Sequence, residues 1–241
     1  MAAPPLQLIA MHGWAGDAGN WAPWRVATAG HPILWRCGER GYGGADPVAP
    51  QWGATGRRVV LAHSLGPHLL EPEVLAGAEA VVLLASFGRF VPPGRNGRRL
   101  TTALAGMAAA LADEPDEATA ARRAQTLLAD FLAQAAAPDP VALLPAGPAD
   151  RPVGAQARRR LRHDLALLGA CEGLPAGWPA AAPVLLVEAG ADGIVAPEAQ
   201  ELLRRSLPAA ERLTIPDAGH ALLRAPLIPA VLEWLQRTLP A

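Results

Sequence analysis

Short runs of apolar residues recur along the chain and are separated by glycine, proline or polar residues. Most of these runs are continuous rather than alternating, which is typical of strands in a parallel sheet covered on both faces. Six buried strands are predicted in this way: Leu6–Met11, Ile33–Cys37, Arg58–Ala62, Ala80–Ala85, Val184–Glu188 and Arg212–Ile215. Helical patterns lie between or after them, so the sequence predicts an α/β protein with a mostly parallel central sheet.

The helical patterns are clearest at Pro197–Leu207 and Leu227–Leu239, after the fifth and sixth predicted strands. From about Phe87 to Trp178 no convincing strand is seen, and three helices rich in alanine and leucine are predicted there instead: Thr101–Ala112, Glu117–Ala137 and Ala155–Leu168. We therefore predict a core of residues 1–86 and 179–241, with a helical lid inserted at residues 87–178. A plain helical layer of the same core is the alternative.

Composition narrows the range of functions. The chain has 241 residues and is 51% hydrophobic, but no apolar run reaches the roughly 18 residues that a membrane span needs. The first residues lack the basic segment of a signal peptide. The net charge is −1, so nothing global favours nucleic acid. Neither the two cysteines nor the six histidines have metal-ligand spacing. We expect a cytoplasmic protein with reduced thiols and neither metal, membrane nor nucleic-acid partner.

The segment Ala62-His-Ser-Leu-Gly66 directly follows the third predicted strand and places Ser64 between two small residues. A strand followed at once by small-x-Ser-x-Gly suits a sharp, strained turn, because large side chains at its flanks would clash. Such a turn presents the serine hydroxyl as a nucleophile. The motif alone is also compatible with an ordinary serine after a strand, so a base, a group that orients the base, and oxyanion donors are needed.

Candidates for the base and its partner follow late in the chain. His220 comes a few residues after the last predicted strand, and Asp192 follows the fifth strand after a small-residue turn. Ligands meet an open α/β sheet at the carboxyl ends of its strands, so both side chains are expected near Ser64. Two weaker candidates for the acid remain. Asp217 lies only three residues before His220, and Glu188 belongs to the end of its strand.

Two backbone amides are candidates for holding an oxyanion. One is the N–H of Leu65, the residue after the nucleophile, and the other is an N–H from the loop after the first strand. His12-Gly13-Trp14 fills that position. Because Gly13 lets the backbone approach closely, the Trp14 amide is the second candidate. His12 itself is expected to be a structural histidine of the loop, and His63 to pack inside the turn.

Together these segments resemble the α/β-hydrolase superfamily over nearly the whole chain. The resemblance rests on MHGWAGDAGNW, AHSLG, ADGIVAP and AGHA, and on the chain order serine, aspartate, histidine. More narrowly, HGW with a second Trp at Trp21, SLG after the serine, ASFGRF after the fourth strand and DGIVAP resemble the pimeloyl-[acyl-carrier protein] methyl ester carboxylesterases of biotin synthesis. That family has a helical lid over a serine triad and cleaves the methyl ester from a pimeloyl chain held by acyl carrier protein.

The resemblance implies roles for individual residues. By motif, the triad would be Ser64, Asp192 and His220, and the oxyanion donors Trp14 and Leu65. Phe87 and Phe131 of the lid would supply apolar walls for the substrate, although such phenylalanines often serve only in packing. No cofactor and a monomer are expected. The chain departs from the family at residues 45–56, a segment too short and too rich in proline and glycine for the usual full helix.

Five arginines and no acidic residue lie between Arg151 and Arg162, in a chain whose basic residues are all arginine. At helical spacing Arg158 and Arg162 share a face, with Arg159 beside them. Acyl carrier proteins are strongly acidic, so we predict that Arg158, Arg159 and Arg162 dock the carrier protein by charge. The alternative is a solvated helix face with no partner.

Two other functions stay open at the level of sequence. A general small-ester carboxylesterase without a carrier-protein partner would share the first three motifs. A hydrolase-like binding module without catalysis would keep the fold alone, and the complete serine, histidine and aspartate set argues against it. Comparing free with carrier-bound methyl esters separates the first alternative from the family function, and covalent labelling of the serine tests the second.

Overall fold

The computed structural model describes residues 5–223 and 227–239, and its centre is a sheet of six parallel strands. The strands pair in the order β2-β1-β3-β4-β5-β6. Their bounds are β1 Leu6–Met11, β2 Ile33–Cys37, β3 Arg57–His63, β4 Ala80–Leu84, β5 Val184–Ala189 and β6 Glu211–Ile215. All six strand predictions are confirmed to within one residue at each end.

The helices are α1 Ala22–Ala27, α2 Pro72–Ala76, α3 Arg95–Ala110, α4 Glu117–Ala136, α5 Ala155–Ala170, α6 Pro197–Ser206 and α7 Leu227–Thr238. The five predicted helices are found as α3 to α7. Helix α3 begins at Arg95 rather than Thr101, because its first turn is polar and hides the helical spacing of apolar residues. Short 3₁₀ turns occur at Ala18–Trp21, Gly66–Leu69, Val141–Leu143 and Pro148–Asp150.

Two apolar layers cover the sheet. On one face α1 and α7 bury large side chains, Trp24 and Trp234 among them, against Leu61 and Val82 of the central strands. Each such side chain contributes roughly 1.5–3 kcal/mol when fully buried. On the other face α2 and α6 pack on the alternate residues of the same strands. The crossover from β2 to β3 contains no helix within residues 45–56, which confirms the predicted departure; Trp52 covers the sheet there.

The helical insertion between β4 and β5 contains α3, α4 and α5, which contact one another. It forms a third apolar cluster with residues that follow the strands, including Trp14 after β1 and Leu65 after β3. The indole Nε1–H of Trp14 donates to the carbonyl oxygen of Leu161 in α5 at 2.9 Å. The insertion therefore lies over the carboxyl edge of the sheet, where the sequence predicts the functional residues.

A buried carboxylate also ties the insertion to the core. Asp164 of α5 accepts hydrogen bonds from Arg40 Nε and Nη2 at 2.8 and 2.6 Å and from the Tyr42 hydroxyl at 2.5 Å. Burial and the neighbouring Asp164 charge raise the pKa of Tyr42 well above its usual value, so the phenol keeps its proton. These three residues, the Asp164 cluster, join α5 to the loop after β2.

Two sequence expectations concern the whole molecule. Within the two described ranges, no helix is both long enough and apolar enough to cross a membrane. Cys37 and Cys171 are free thiols. Burial raises the pKa of Cys171 to about 11, so this thiol is protonated at neutral pH.

Candidate active site

Ser64 lies in a strained turn between β3 and the 3₁₀ turn Gly66–Leu69. Its φ of 54° is in the left-handed region, which costs a non-glycine residue of order 1–3 kcal/mol and persists only where the surroundings enforce it. The Ser64 amide donates to Leu84 O at 2.9 Å, and the Ser86 hydroxyl donates to Ser64 O at 2.6 Å. These bonds from the end of β4 hold the turn, and the role of Ser86 was not predicted.

The small residues around Ser64 are required by close packing against the loop after β1. A Cβ on Gly66 would clash with the carbonyl oxygen of Met11. A Cβ on Gly13 would lie 2.8 Å from Ser64 Cβ and 3.3 Å from its hydroxyl oxygen. Both glycines therefore permit the backbone after β1 to approach the serine side chain, as the sequence predicts for Gly13.

His220 and Asp192 are brought together in a buried pair. His220 Nδ1 donates to Asp192 Oδ2 at 3.0 Å, and both side chains are almost fully buried. The other carboxylate oxygen accepts the backbone N–H groups of Ile194 and Val195 at 2.8 and 2.9 Å. Burial alone would raise the pKa of Asp192, but the His220 contact and the two amides together hold it below its usual value. Asp192 is therefore ionised at neutral pH.

The two weaker candidates for the acid lie elsewhere. Asp217 is exposed on the loop before His220. Glu188 accepts a hydrogen bond from Arg204 Nε at 2.7 Å, which directs its carboxylate to α6. Of the three predicted acids, Asp192 is the one that hydrogen-bonds to the His220 ring.

His63 supports the loop that carries His220. Because a carbonyl can only accept, His63 Nε2 carries the proton and donates to His220 O at 2.9 Å. The two rings lie 4.9 Å apart between centroids. Burial, and secondly the charge of His220, lower the pKa of His63 to about 4, so its ring is neutral at neutral pH. The packing predicted for His63 is thus also a hydrogen bond to the backbone of His220.

Ser64 and His220 are 5% and 2% exposed, beneath the helical insertion. In the described part of the chain, no hydrogen bond joins the Ser64 hydroxyl to the His220 ring. The Nδ1–H of His220 is used by Asp192, which leaves its Nε2 as the nitrogen able to accept a proton.

The two amides predicted as oxyanion donors have no acceptor. Among residues 5–223 and 227–239, neither the backbone N–H of Trp14 nor that of Leu65 makes a hydrogen bond, although both residues are buried. Buried amides are nearly always paired, and an unpaired one costs roughly 1–3 kcal/mol. Leu65 adjoins Ser64 in the chain, and Trp14 adjoins Gly13, which approaches the Ser64 side chain. Two unpaired buried donors near one serine are what the binding of a negatively charged oxygen requires.

His12 has both ring nitrogens occupied. Nδ1–H donates to the neighbouring Gly13 carbonyl at 2.8 Å, and Nε2 accepts the Arg40 amide at 3.3 Å. Burial lowers the pKa of His12, so the ring is neutral. His12 is a structural histidine of the loop, as expected, and it fixes the backbone that leads to Trp14.

The two phenylalanines predicted for a substrate site differ in position. Phe131 of α4 packs edge-on against the Trp14 indole, with 4.9 Å between ring centroids. Phe87 is buried between His68 and Phe90, at 5.5 and 5.0 Å. Phe131 therefore covers the loop with the candidate oxyanion donor, while Phe87 packs in the base of the insertion. That either lines a substrate site stays a prediction.

The prediction that Arg158 belongs to an exposed docking face is wrong. Its side chain is fully buried, and its two terminal nitrogens bind Glu117 of α4 at 2.8 and 2.7 Å. Asp113 lies 3.3 Å from the same group. Arg158 occupies the buried stripe of α5 and joins α5 to α4. Arg159 and Arg162 are exposed, and within the described residues neither makes an ion pair.

The arrangement supports acid–base and nucleophilic chemistry at one edge of the sheet. A buried aspartate orients a histidine there, and the strained Ser64 lies between the amide of Leu65 and the approaching Gly13–Trp14 backbone. Within the described ranges the N–H groups of Leu65 and Trp14 make no hydrogen bond. Within the described ranges, no group of three or more His, Cys, Asp or Glu side chains is placed to hold a metal ion.

No family model matches the chain, and the comparison with curated proteins finds no match in sequence. Solved structures do share its architecture. A thermophilic esterase from Thermogutta terrifontis is 18% identical, with a TM-score of 0.65, and the match covers 98% of this chain and 92% of that one. The enol-lactonase from Burkholderia xenovorans LB400 is 16% identical, with a TM-score of 0.64, over 96% and 92% of the two chains.

An esterase from Rhodococcus sp. ECU1013 is 16% identical, with a TM-score of 0.55, over 97% of this chain and 91% of that one. At such identities the likeness concerns the fold. Together with the parallel sheet and its flanking helices, it confirms the prediction of an α/β-hydrolase fold.

Proposed function

We propose that this α/β-hydrolase-fold protein is a serine carboxylesterase with Ser64, His220 and Asp192 as its triad. The observation that carries the proposal is the meeting, at one sheet edge, of a strained serine, a buried aspartate–histidine pair and two unpaired amides. A structural serine would need neither the strain nor the unpaired donors. The sequence resemblance supports the same assignment.

In the proposed reaction, His220 Nε2 takes the Ser64 proton while the serine oxygen bonds to the ester carbonyl carbon. The carbonyl oxygen becomes an oxyanion, which the Leu65 and Trp14 amides bind. Asp192 keeps the proton of His220 on Nδ1 and stabilises the imidazolium. The ester C–O bond then breaks, and the alcohol leaves with the proton from His220. Water repeats the sequence on the acyl-enzyme and releases the acid.

The hydrogen bond from Ser64 to His220 is expected to form as substrate binds. Such bonds are often long or poorly aligned without substrate. Both groups are buried beneath the insertion, so a substrate that enters between them also excludes water.

Covalent labelling tests the proposal. A fluorophosphonate probe should modify Ser64 and stop ester hydrolysis, with the modified peptide identified by mass spectrometry. Ser206, an exposed serine of α6, serves as the internal control and should stay unmodified. Hydrolysis that survives full labelling of Ser64 would exclude it as the nucleophile. A folded protein with neither labelling nor hydrolysis would support the non-catalytic binding module.

For the substrate, the resemblance supports a pimeloyl methyl ester carried on acyl carrier protein, in biotin synthesis and in the cytoplasm. We propose Arg159 and Arg162, which are exposed on α5, as the docking residues, without the buried Arg158. A complementary charged surface mainly speeds and orients docking. A general small-ester carboxylesterase without a carrier protein is the alternative.

Turnover of free and carrier-bound methyl esters separates these substrates. Replacing Arg159 and Arg162 by Glu should raise KM severalfold for the carrier-bound ester only, and added salt should act likewise, because charges beyond about 10 Å are screened at 0.1 M. Arg205→Glu on α6, where the side chain is also exposed, is the control. Equal responses of both esters would favour the general esterase.

A further inference from the structure

A cavity of about 420 Å³ lies beside the candidate site, on the sheet face that α1 and α7 cover. This volume is within the range of about 300–1,000 Å³ that is usual for small-molecule sites. The cavity is partly open to solvent, as a binding cleft is, rather than an enclosed void. Its walls include Trp21, Trp24, Leu144, Leu222 and Ile228.

The cavity reaches the chain neighbours of both candidate catalytic residues, although Ser64 and His220 do not themselves line it. His63 and Ala221 line it, and they are the chain neighbours of Ser64 and His220. Leu84 also lines it, and its carbonyl oxygen accepts the Ser64 amide at 2.9 Å. The cavity wall and the reactive groups are therefore held by the same short segments.

The walls suit an uncharged apolar group. Within the described residues, no charged side chain lines the cavity; the polar groups are those of Asn20 and His63 and the indoles of Trp21 and Trp24. His63 is neutral at neutral pH because its pKa is lowered to about 4. Among the described lining residues a carboxylate would find no countercharge to offset its lost hydration, which is unfavourable.

We propose that this cavity holds the apolar arm of the ester, so that the substrates are neutral esters with a chain of medium length. The inference rests on the proposed esterase function and adds the substrate class to it. The apolar chain of the substrate lies on either the acyl or the alcohol side of the ester, and the two series of esters described below distinguish the two sides.

The test measures kcat/KM along two series. The acyl series runs from p-nitrophenyl acetate to p-nitrophenyl octanoate, and the alcohol series from methyl acetate to octyl acetate. Burial of each further methylene is favourable by about 0.8 kcal/mol, so one series should rise at least tenfold with chain length. The series that rises identifies the arm in the cavity.

Two variants fill the cavity from different segments of its wall, the insertion and α7. Leu144→Trp and Ile228→Trp should each remove most of the rise while leaving the acetate rate within about twofold, since neither residue touches the triad. Leu104→Trp is the matched control. It adds the same bulk to a different groove of about 250 Å³, between α3 and α5, and should keep the full rise.

The outcomes separate the inference from the function on which it rests. If esters are hydrolysed but kcat/KM does not depend on chain length in either series, the cavity assignment is overturned and the esterase proposal stands. The same holds if all three tryptophan variants lose the rise with chain length equally. If no ester is hydrolysed, the esterase proposal fails. Calorimetric titration of Ser64→Ala protein with methyl octanoate then tests whether the cavity holds an apolar chain. Binding that is abolished by Leu144→Trp supports the cavity assignment, and the absence of binding overturns it.

Discussion

The turn at Ser64 and the Asp164 cluster both bury polar groups at the carboxyl edge of the sheet, but they satisfy them differently. Asp164 has both carboxylate oxygens bonded, to Arg40 and Tyr42. The turn holds a strained serine beside two amides that have no acceptor among the residues the structure describes. A fully paired buried group rigidifies a structure, whereas an unpaired donor keeps its binding capacity for a ligand. This is the difference expected between a structural polar cluster and a reactive site.

The largest effect is expected from the turn. Ser64→Ala should lower kcat for p-nitrophenyl acetate by about 10⁴-fold or more, because the nucleophile is lost. Unfolding by urea should hardly change, since only a hydroxyl is removed. Retention of a tenth of the rate would show that Ser64 is not the nucleophile.

The next effect concerns the acid. Asp192→Asn should lower kcat by about 10³–10⁴-fold, because His220 loses the carboxylate that fixes its tautomer. Asp217→Asn is the matched control, and its exposed side chain should leave kcat within about twofold. Equal losses of kcat in the two variants would mean that either Asp217 or neither residue is the acid that orients His220.

The third effect depends on pH. His63 has a pKa of about 4 in the folded state and an ordinary value of about 6.5 when unfolded. The unfolded chain therefore binds more protons between these values, and stability falls as the pH drops through this window. The neutral state of His63 therefore contributes up to about 3 kcal/mol to the free energy of unfolding; this contribution is fully present above pH 6.5 and lost below pH 4.

Urea unfolding at several pH values measures this contribution. His63→Gln keeps an N–H donor but does not titrate, so its stability should fall less between pH 6.5 and 4 than that of the unaltered protein. Asp192 and His220 are present in both proteins. The difference between the two stability curves therefore reports the titration of His63. Parallel curves would show that the folded-state pKa of His63 is not depressed.

The fourth effect lies in the Asp164 cluster and separates stability from activity. Asp164→Asn leaves Arg40 without its carboxylate, and should lower the free energy of unfolding by about 2 kcal/mol. The partial exposure of Arg40 keeps the loss below that of a fully buried pair. At low temperature kcat should remain within about threefold. Glu211→Gln breaks an exposed pair with Arg237 and should cost less than about 1 kcal/mol.

The smallest effect returns to the turn. His63→Ala removes the donor to the His220 carbonyl and should lower kcat about tenfold with little change in KM, as expected for a lost hydrogen bond. His63→Gln should recover most of that rate. If both variants behave alike, the ring matters for packing rather than for the hydrogen bond.

The strands and their end loops could be predicted because continuous apolar runs mark the sheet, and chain order assigns the loops to one edge. Ser64, His220 and Asp192 follow from these signals. Arg158 could not be placed, because helical spacing shows which residues share a face but not which face another helix covers. Its carboxylate partners, Asp113 and Glu117, lie more than forty residues away in the chain.

The hydrogen bonds of His63 and Ser86 were missed for a similar reason. Both depend on which residues lie side by side at the ends of neighbouring strands. The apolar pattern predicts each strand end only to within one residue. A polar residue directly before or after a strand end beside a candidate nucleophile is the signal that would have drawn attention to them. The Asp164 cluster offers a weaker signal, an acidic residue within the apolar stripe of α5.

Trp14 connects the helical insertion, which covers the candidate site, with the backbone that carries a candidate oxyanion donor. Its amide is a candidate oxyanion donor of the core, while its indole is bonded to Leu161 and packed against Phe131, both in the insertion. An outward swing of the helices that admits a bulky ester must release the indole and loosen the backbone that carries the amide. If esters enter by such a swing, entry and reaction belong to different conformations, and the speed of reclosing sets an upper limit on turnover.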